Sequence, residues 1–209
     1  MFIVLAMMAC SSEIDNKQAA QVKDVVEKKE DSPKEAAPKA DAPKADAPKK
    51  EEPVKGKTLS FADTSKVEWV GAKVTGDHSG GFKVVKGTAQ VDAGALLSLN
   101  AEIDIASMFS DSDRLTGHLL SADFFEAKKY PTATFTSTKI ENGTITGILD
   151  MRMVKKEISF PAKISINEQL VDIQSEFTIN RRLWNINYNG KANDLIKDDV
   201  LIKLNVQYK

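Results

Sequence analysis

From residue 66 to the end of the chain, apolar and polar positions alternate with a period of two, in one short run after another. Leu99, Ala101, Ile103 and Ile105 interleave with Asn100, Glu102 and Asp104. Ile145, Gly147, Leu149, Met151 and Met153 share a face against Thr144, Thr146, Asp150 and Arg152. Ile158, Phe160, Ala162, Ile164 and Ile166 form another set, and Val171, Ile173, Phe177 and Ile179 a fourth. Val200, Ile202, Leu204, Val206 and Tyr208 close the chain. Successive strand side chains point to opposite faces, so each run predicts a strand with one face in a core and one in water. Further runs at 66–75, 81–92, 132–140 and 184–188 bring the expectation to about eight to ten strands.

The dipeptides between these runs carry hairpin chemistry. Asn142-Gly143 suits a type I′ turn, and Ala93-Gly94 and Asn167-Glu168 mark two more. One-faced antiparallel strands with short turns make a sandwich or an up-and-down barrel. A barrel of about eight strands is just wide enough to hold one ligand.

One stretch, 115–138, breaks the alternation. Ser121 is placed to cap a helical turn over 122–127, with Asp123 favourable in its first turn. Tyr130-Pro131 stops it, because the residue before a proline is pushed out of helical space. Phe124 and Phe125 are adjacent and cannot share a helical face, so one can pack on the barrel wall while the other reaches its mouth. This predicts a short helical lid.

The first 57 residues read differently. Met1 to Ala9 is short and wholly apolar, and Cys10-Ser11-Ser12 follows. This resembles the end of a bacterial lipoprotein signal peptide, whose cysteine is lipidated and becomes the mature N-terminus. Residues 11–57 then hold Pro33, Pro38, Pro43, Pro48 and Pro53 at a strict five-residue period, with Ala-Pro-Lys-Ala-Asp repeated. Proline at that spacing breaks a helix, and too little apolar surface is present to offset ordering. The expectation is a disordered tether, reaching roughly 145 Å as polyproline II or about 40 Å as a coil. The predicted organisation is signal peptide 1–10, linker 11–57 and β domain 58–209. The anchor places the protein in the bacterial cell envelope, periplasmic or on the outer membrane, and makes the membrane a partner through Cys10.

Composition narrows the function. A net charge of −1 gives no electrostatic basis for nucleic-acid binding. No apolar stretch reaches the ~20 residues of a spanning helix. With only His78 and His118 as histidines and no cysteine in the domain, the ligands of a structural metal site are missing. Ser121, His118 and Asp123 could be written as a triad, but sequence proximity is not triad geometry, and Ser121 and Asp123 already serve the helix start.

Gly-His-Leu-Leu-Ser-Ala-Asp-Phe-Phe at 117–125, followed by Lys-Tyr-Pro-Thr-Ala-Thr-Phe-Thr-Ser-Thr at 129–138, resembles the YceI-like family of lipocalin-like polyisoprenoid-binding proteins. The resemblance extends upstream to 65–80 and downstream through 147–151, 156–162 and 177–188. It departs at Met153, where the family usually has glycine. The resemblance implies an all-β, lipocalin-like antiparallel barrel around an apolar channel. The channel would hold a polyisoprenoid, quinone or fatty-acyl chain, without catalysis and without a cofactor other than the bound lipid.

Candidate pocket residues are Trp69, Phe82, Phe109, Leu119, Phe124, Phe125, Phe135, Phe160, Phe177 and Trp184. Candidates for the polar rim or headgroup contacts are His78, His118, Asp123 and Arg181, with Arg181 expected to pair with an acid such as Asp123. The alternative is a tethered structural or interaction module whose barrel is filled by its own bulky side chains.

Overall fold

Three of the alternating runs bend part-way and cross from one sheet into a second. In the computed structural model, which describes residues 13–25, 56–167 and 169–209, the first strands are β1 (Gln21–Asp24), β2 (Lys57–Ser60), β3 (Lys66–Lys73), β4 (Gly76–Phe82), β5 (Val85–Asp92) and β6 (Ala95–Asp104). β7 (Met108–Ser110) and helix α1 (Asp113–Leu119) follow. Then come β8 (Thr132–Glu141), β9 (Thr144–Met151), β10 (Val154–Pro161), β11 (Lys163–Asn167), β12 (Leu170–Asn180), β13 (Gly190–Lys191) and β14 (Asp194–Tyr208). One sheet runs β1-β10-β9-β8-β6-β5-β2. The other runs β11-β12-β14-β3-β4-β7, with β13 beside β14. Every ladder is antiparallel. Besides crossing between β2 and β3 and through the lid between β7 and β8, the chain changes sheet between β4 and β5, through a 3-10 turn between β6 and β7, and at Ala162 between β10 and β11. These bends curve the two sheets into one lipocalin-like barrel.

The inward faces are the predicted ones. Leu99, Ile105, Ile145, Ile158, Phe160, Val171, Ile173, Phe177, Val206 and Tyr208 are all buried in one core. Two predicted turns have both central residues at positive φ: Ala93 and Gly94 (49° and 78°), Asn142 and Gly143 (48° and 70°). The Asn167-Glu168 turn includes Glu168, which lies outside the described residues. Arg152 and Met153 make a third turn of this kind, at 52° and 62°, without a glycine. Met153 therefore leaves the inward face that alternation assigned to it, and sits at the tip of the β9–β10 hairpin, 83% exposed.

Three expectations need correction. The helix is not 122–127 but Asp113–Leu119. Ser112 caps it, accepting from the Leu115 amide, and Asp113 lies in its first turn. Ser121 instead donates to the His118 carbonyl at 2.7 Å and begins a series of turns up to Pro131. Residues 184–188 are not a strand. Asn180 caps a 3-10 turn over Arg181–Trp184, and Asn185 ends it in the left-handed region. Among the described residues no helix is long and apolar enough to cross a membrane.

The third correction concerns the tether. Residues 13–25, read from sequence as disordered linker, lie on the domain. Ile14 is 4% exposed and packs with Val70, Ala72 and Leu201 on the outer side of β3 and β14. Gln21–Asp24 form β1 against β10. Composition argued for disorder over the whole stretch, but three of the few apolar residues here, Ile14, Ala20 and Val22, fall where the domain offers a surface for them. Cys10, the apolar leader and the proline repeat lie outside the described residues.

Candidate functional site

The inward faces of the two sheets meet only in part, as where Phe160 stacks on Phe177. They enclose a cavity of about 430 Å³, within the ~300–1,000 Å³ typical of small-molecule sites. Its wall is almost entirely carbon. Val200, Ile202, Leu204, Val206 and Tyr208 of β14 run down one side, and Leu99, Ala101, Ile103 and Ile105 down the other. Two glycines let aromatic rings lie flat against neighbouring strands. A Cβ on Gly80 would stand 2.5 Å from the Trp69 ring and 2.0 Å from the Phe109 carbonyl oxygen. One on Gly147 would stand 2.5 Å from the Phe135 ring. The indole N–H of Trp69 is buried with no acceptor among the described residues.

Of the predicted pocket residues, Trp69, Phe82, Leu119, Phe124, Phe125, Phe135, Phe160 and Phe177 line the cavity. Phe109 and Trp184 do not. Phe109 sits on β7 with its ring against Gly81 and beneath Lys83, partly exposed. Trp184 is fully buried beyond the wall and donates to the Leu149 carbonyl at 3.4 Å. Aromatic residue type alone could not separate wall from packing behind the wall.

The end of the barrel that carries α1 and the turns to Pro131 is closed by side chains of this segment. Leu115, Leu119, Phe124 and Phe125 all reach the cavity. Phe124 is buried in a ring cluster, 5.1 Å from His118 and 5.1 Å from Tyr188 between centroids, with His118 and Tyr188 4.9 Å apart. His118 Nε2 lies 2.8 Å from Asp123 Oδ2. His118 and Asp123 therefore stand behind the lid rather than on the cavity, and the Ser121 hydroxyl faces a backbone carbonyl instead of the imidazole. No nucleophile–base pair forms there.

The polar residues that do reach the cavity are Lys73, His78 and Arg181. Each is held by a carboxylate. Lys73 Nζ lies 2.7 Å from Asp194 Oδ2, and its hydrogen bond, aided by Thr75, holds the Asp194 carboxyl below the usual range. His78 Nδ1 lies 3.0 Å from Asp111 Oδ1. Arg181 is buried and pairs with Asp198 at 3.2 Å, not with Asp123. It also donates to the Lys197 and Ile186 carbonyls, at 3.1 and 2.6 Å. Burial pushes the Arg181 guanidinium down from its ordinary pKa, and Asp198 opposes that. Lys73 was missed from sequence although the signal was present: it follows Val67, Trp69 and Gly71 on the inward register of β3. Among the described residues no three His, Cys, Asp or Glu side chains gather as metal ligands.

Residues 58–208 match the family model of the YceI-like domain. Protein YceI of Escherichia coli is 36% identical over 91 residues, 41% of this chain and 48% of that one. The chain spans 36% to 48% of the length of the curated relatives it matches. BcnA of Burkholderia cenocepacia superposes with a TM-score of 0.61 at 22% identity, over 69% of this chain and 96% of that one. A polyisoprenoid binding domain from Saccharophagus degradans, implicated in plant cell wall breakdown, also superposes at 0.61, with 18% identity over 74% and 99%. At such identities the two structures speak for the fold. The family match runs from β2 through the lid to β14, and the chain belongs to the YceI-like domain family.

Proposed function

We propose that the barrel binds a long apolar lipid chain, of polyisoprenoid, isoprenoid-quinone or fatty-acyl type, as a non-catalytic carrier or reservoir in the bacterial cell envelope. The observation that carries this reading is the continuous carbon-lined cavity between the sheets. Each buried methylene contributes about 0.8 kcal/mol. A chain of about fifteen carbons would gain about 12 kcal/mol, against association costs on the order of 4–15 kcal/mol. Polar groups at the lid end leave that end for a headgroup. The polyisoprenoid binding domain of S. degradans, similar in fold, supports the same class of ligand. A barrel packed solid by its own side chains, the alternative reading, would leave no such space.

Lipidation at Cys10 would hold the protein on a membrane. Glu13 is already seated on the barrel, so only Ser11 and Ser12, three residue steps or ~10 Å of chain, would separate the anchor from the outer face of β3 and β14. The domain would then ride close to the bilayer rather than at the end of a long leash. The test of the binding reading is the mass of what organic solvent extracts from purified protein. A bare chain that also takes up no isoprenoid or fatty acid would overturn it.

A further inference from the structure

The barrel has a split in its wall. β10 pairs with β9 on one side, and β12 pairs with β14 on the other. β11 closes the lower part of the gap through its ladder with Leu170–Gln174. Above Pro161, where β10 belongs to one sheet and β12 to the other, no backbone hydrogen bond joins the two strands among the described residues. The direct links are a hydrogen bond from the Ser175 hydroxyl to the Pro161 carbonyl, and the stacked rings of Phe160 and Phe177. Both rings line the lipid cavity.

Residues 13–25 lie across this split from outside. The Ala20 amide donates to the Thr178 carbonyl at 2.8 Å, and the Thr178 amide to the Gln18 carbonyl at 3.0 Å. Three residues on, Gln21–Asp24 have changed partner and pair with Lys156–Ser159 of β10. One short segment thus bonds to both lips of the gap. Ala20 and Val22 pack into the core from it. At its start Ile14 is buried against Val70, Ala72 and Leu201, and ion pairs near the surface add to the hold: Lys17 pairs with Glu176, Asp15 with Lys197, Glu13 with Lys203 and Asp24 with Lys156. The Lys17 hydrogen bond lowers the pKa of Glu176.

We propose that the split between β10 and β12 is a lateral portal of the lipid cavity and that residues 13–25 are the strap that closes it. This rests on the lipid-binding reading. The strap lies outside the stretch that matches the YceI-like domain. With the strap off, the edges of two strands, the Ser175–Pro161 hydrogen bond and one aromatic stack stand between the chain-binding cavity and the outside. An apolar chain then leaves sideways between the sheets, without the lid being displaced. Exposed ion pairs weaken with ionic strength, so the strap opens more readily in salt.

The test measures exit of a fluorescent polyene fatty acid from loaded protein into an excess of phosphatidylcholine vesicles. Two variants bracket the strap. Glu13→Lys, Asp15→Lys and Asp24→Lys together turn three ion pairs into repulsions. Lys23→Cys with Glu157→Cys, which are register partners in the β1–β10 ladder, lock it by a disulfide in a Cys10→Ser background. Exit is expected to be at least tenfold faster in the charge variant and at least tenfold slower in the oxidised lock. A reductant should restore the locked protein's rate, and salt should speed exit from the unmodified strap but not from the locked one. Amide exchange at Ala20 and Thr178 reports whether the strap has left. Exit rates within twofold of one another in locked and reduced protein overturn the portal. Protein that takes up no probe at all overturns the lipid reading itself, whatever the strap does. Should the charge variant fail to fold, the lock alone decides.

Discussion

Phe160 and Phe177 stack across the gap between β10 and β12, their ring centroids 4.2 Å apart and their planes 12° from parallel. Each comes from a different sheet, and Phe135 abuts Phe160 at 5.8 Å. The pair ties the two sheets together where backbone hydrogen bonds do not. Removing one ring costs its burial and leaves the other without its partner. Phe160→Ala is expected to destabilise the fold by about 3–5 kcal/mol. The double-mutant cycle with Phe177→Ala should give a coupling of about 0.5–1.5 kcal/mol, read by urea unfolding. Additive single-mutant costs would show that the stack is incidental to sheet closure.

At the lid, the paired phenylalanines and the histidine behind them divide the work. Phe124 and Phe125 both line the cavity, whereas His118 does not line it and contacts Phe124, Tyr188 and Asp123. Phe124→Ala with Phe125→Ala should therefore shorten retention of a bound polyene fatty acid several-fold, and more than His118→Ala does. Equal retention in the double variant and the wild type would remove the gate from these residues.

The sheets were legible because period-two alternation reports burial directly. Val200 to Tyr208 on β14 and Leu99 to Ile105 across from them face the cavity as the pattern requires. The lid was legible as an interruption but not in its register. Ser112 stands one residue and Ser121 two residues before an aspartate, and only the Leu115 amide, bonded to Ser112, shows which one opens the helix. The strap was not legible. Its seven residues from Gln18 to Asp24 hold only Ala19, Ala20 and Val22 as apolar side chains, and what orders them is the unpaired edges of β10 and β12. Those edges exist only in the assembled barrel. Arg181 illustrates the same point: Ile186 reaches it within the local turn, but Lys197 and Asp198 are brought to it by the pairing of β14 with β12.

The cavity's polar end supplies a pH dependence. Asp194 bonds to Lys73 and to Thr75, and these bonds depress its pKa in the folded protein. A carboxyl whose pKa is depressed on folding adds stability above its unfolded value of ~3.9, and that contribution is lost as pH falls through the folded value. Glu176, lowered by Lys17, has the same sign. Asp194→Asn should therefore be less stable than wild type at neutral pH, with the difference shrinking below about pH 4. Urea unfolding repeated down the pH scale checks this. A difference that stays constant to the acid limit would mean that the Asp194 charge contributes nothing to holding the β3–β4 turn.

The β9–β10 hairpin is held in an unfavourable conformation by its surroundings. Arg152 and Met153 both have positive φ, which costs a non-glycine residue about 1–2 kcal/mol. Arg152 is fixed there: its guanidinium bonds to the Asn185 carbonyl, lies 3.8 Å from Glu126 and sits over the Tyr130 ring at 5.3 Å. Glu126 and Asn185 have positive φ themselves, so Arg152 joins three strained turns at the lid end of the barrel. Met153 has no such role, since its side chain is 83% exposed. Met153→Gly should remove the steric cost without losing packing, offset in part by the added freedom of the unfolded chain. The net expectation is a stabilisation of up to about 1 kcal/mol, with a higher denaturation midpoint at an unchanged m-value. Met153→Val, β-branched at the same φ, should shift the midpoint the other way. If both variants move it in the same direction, backbone strain at Met153 is not what limits this turn.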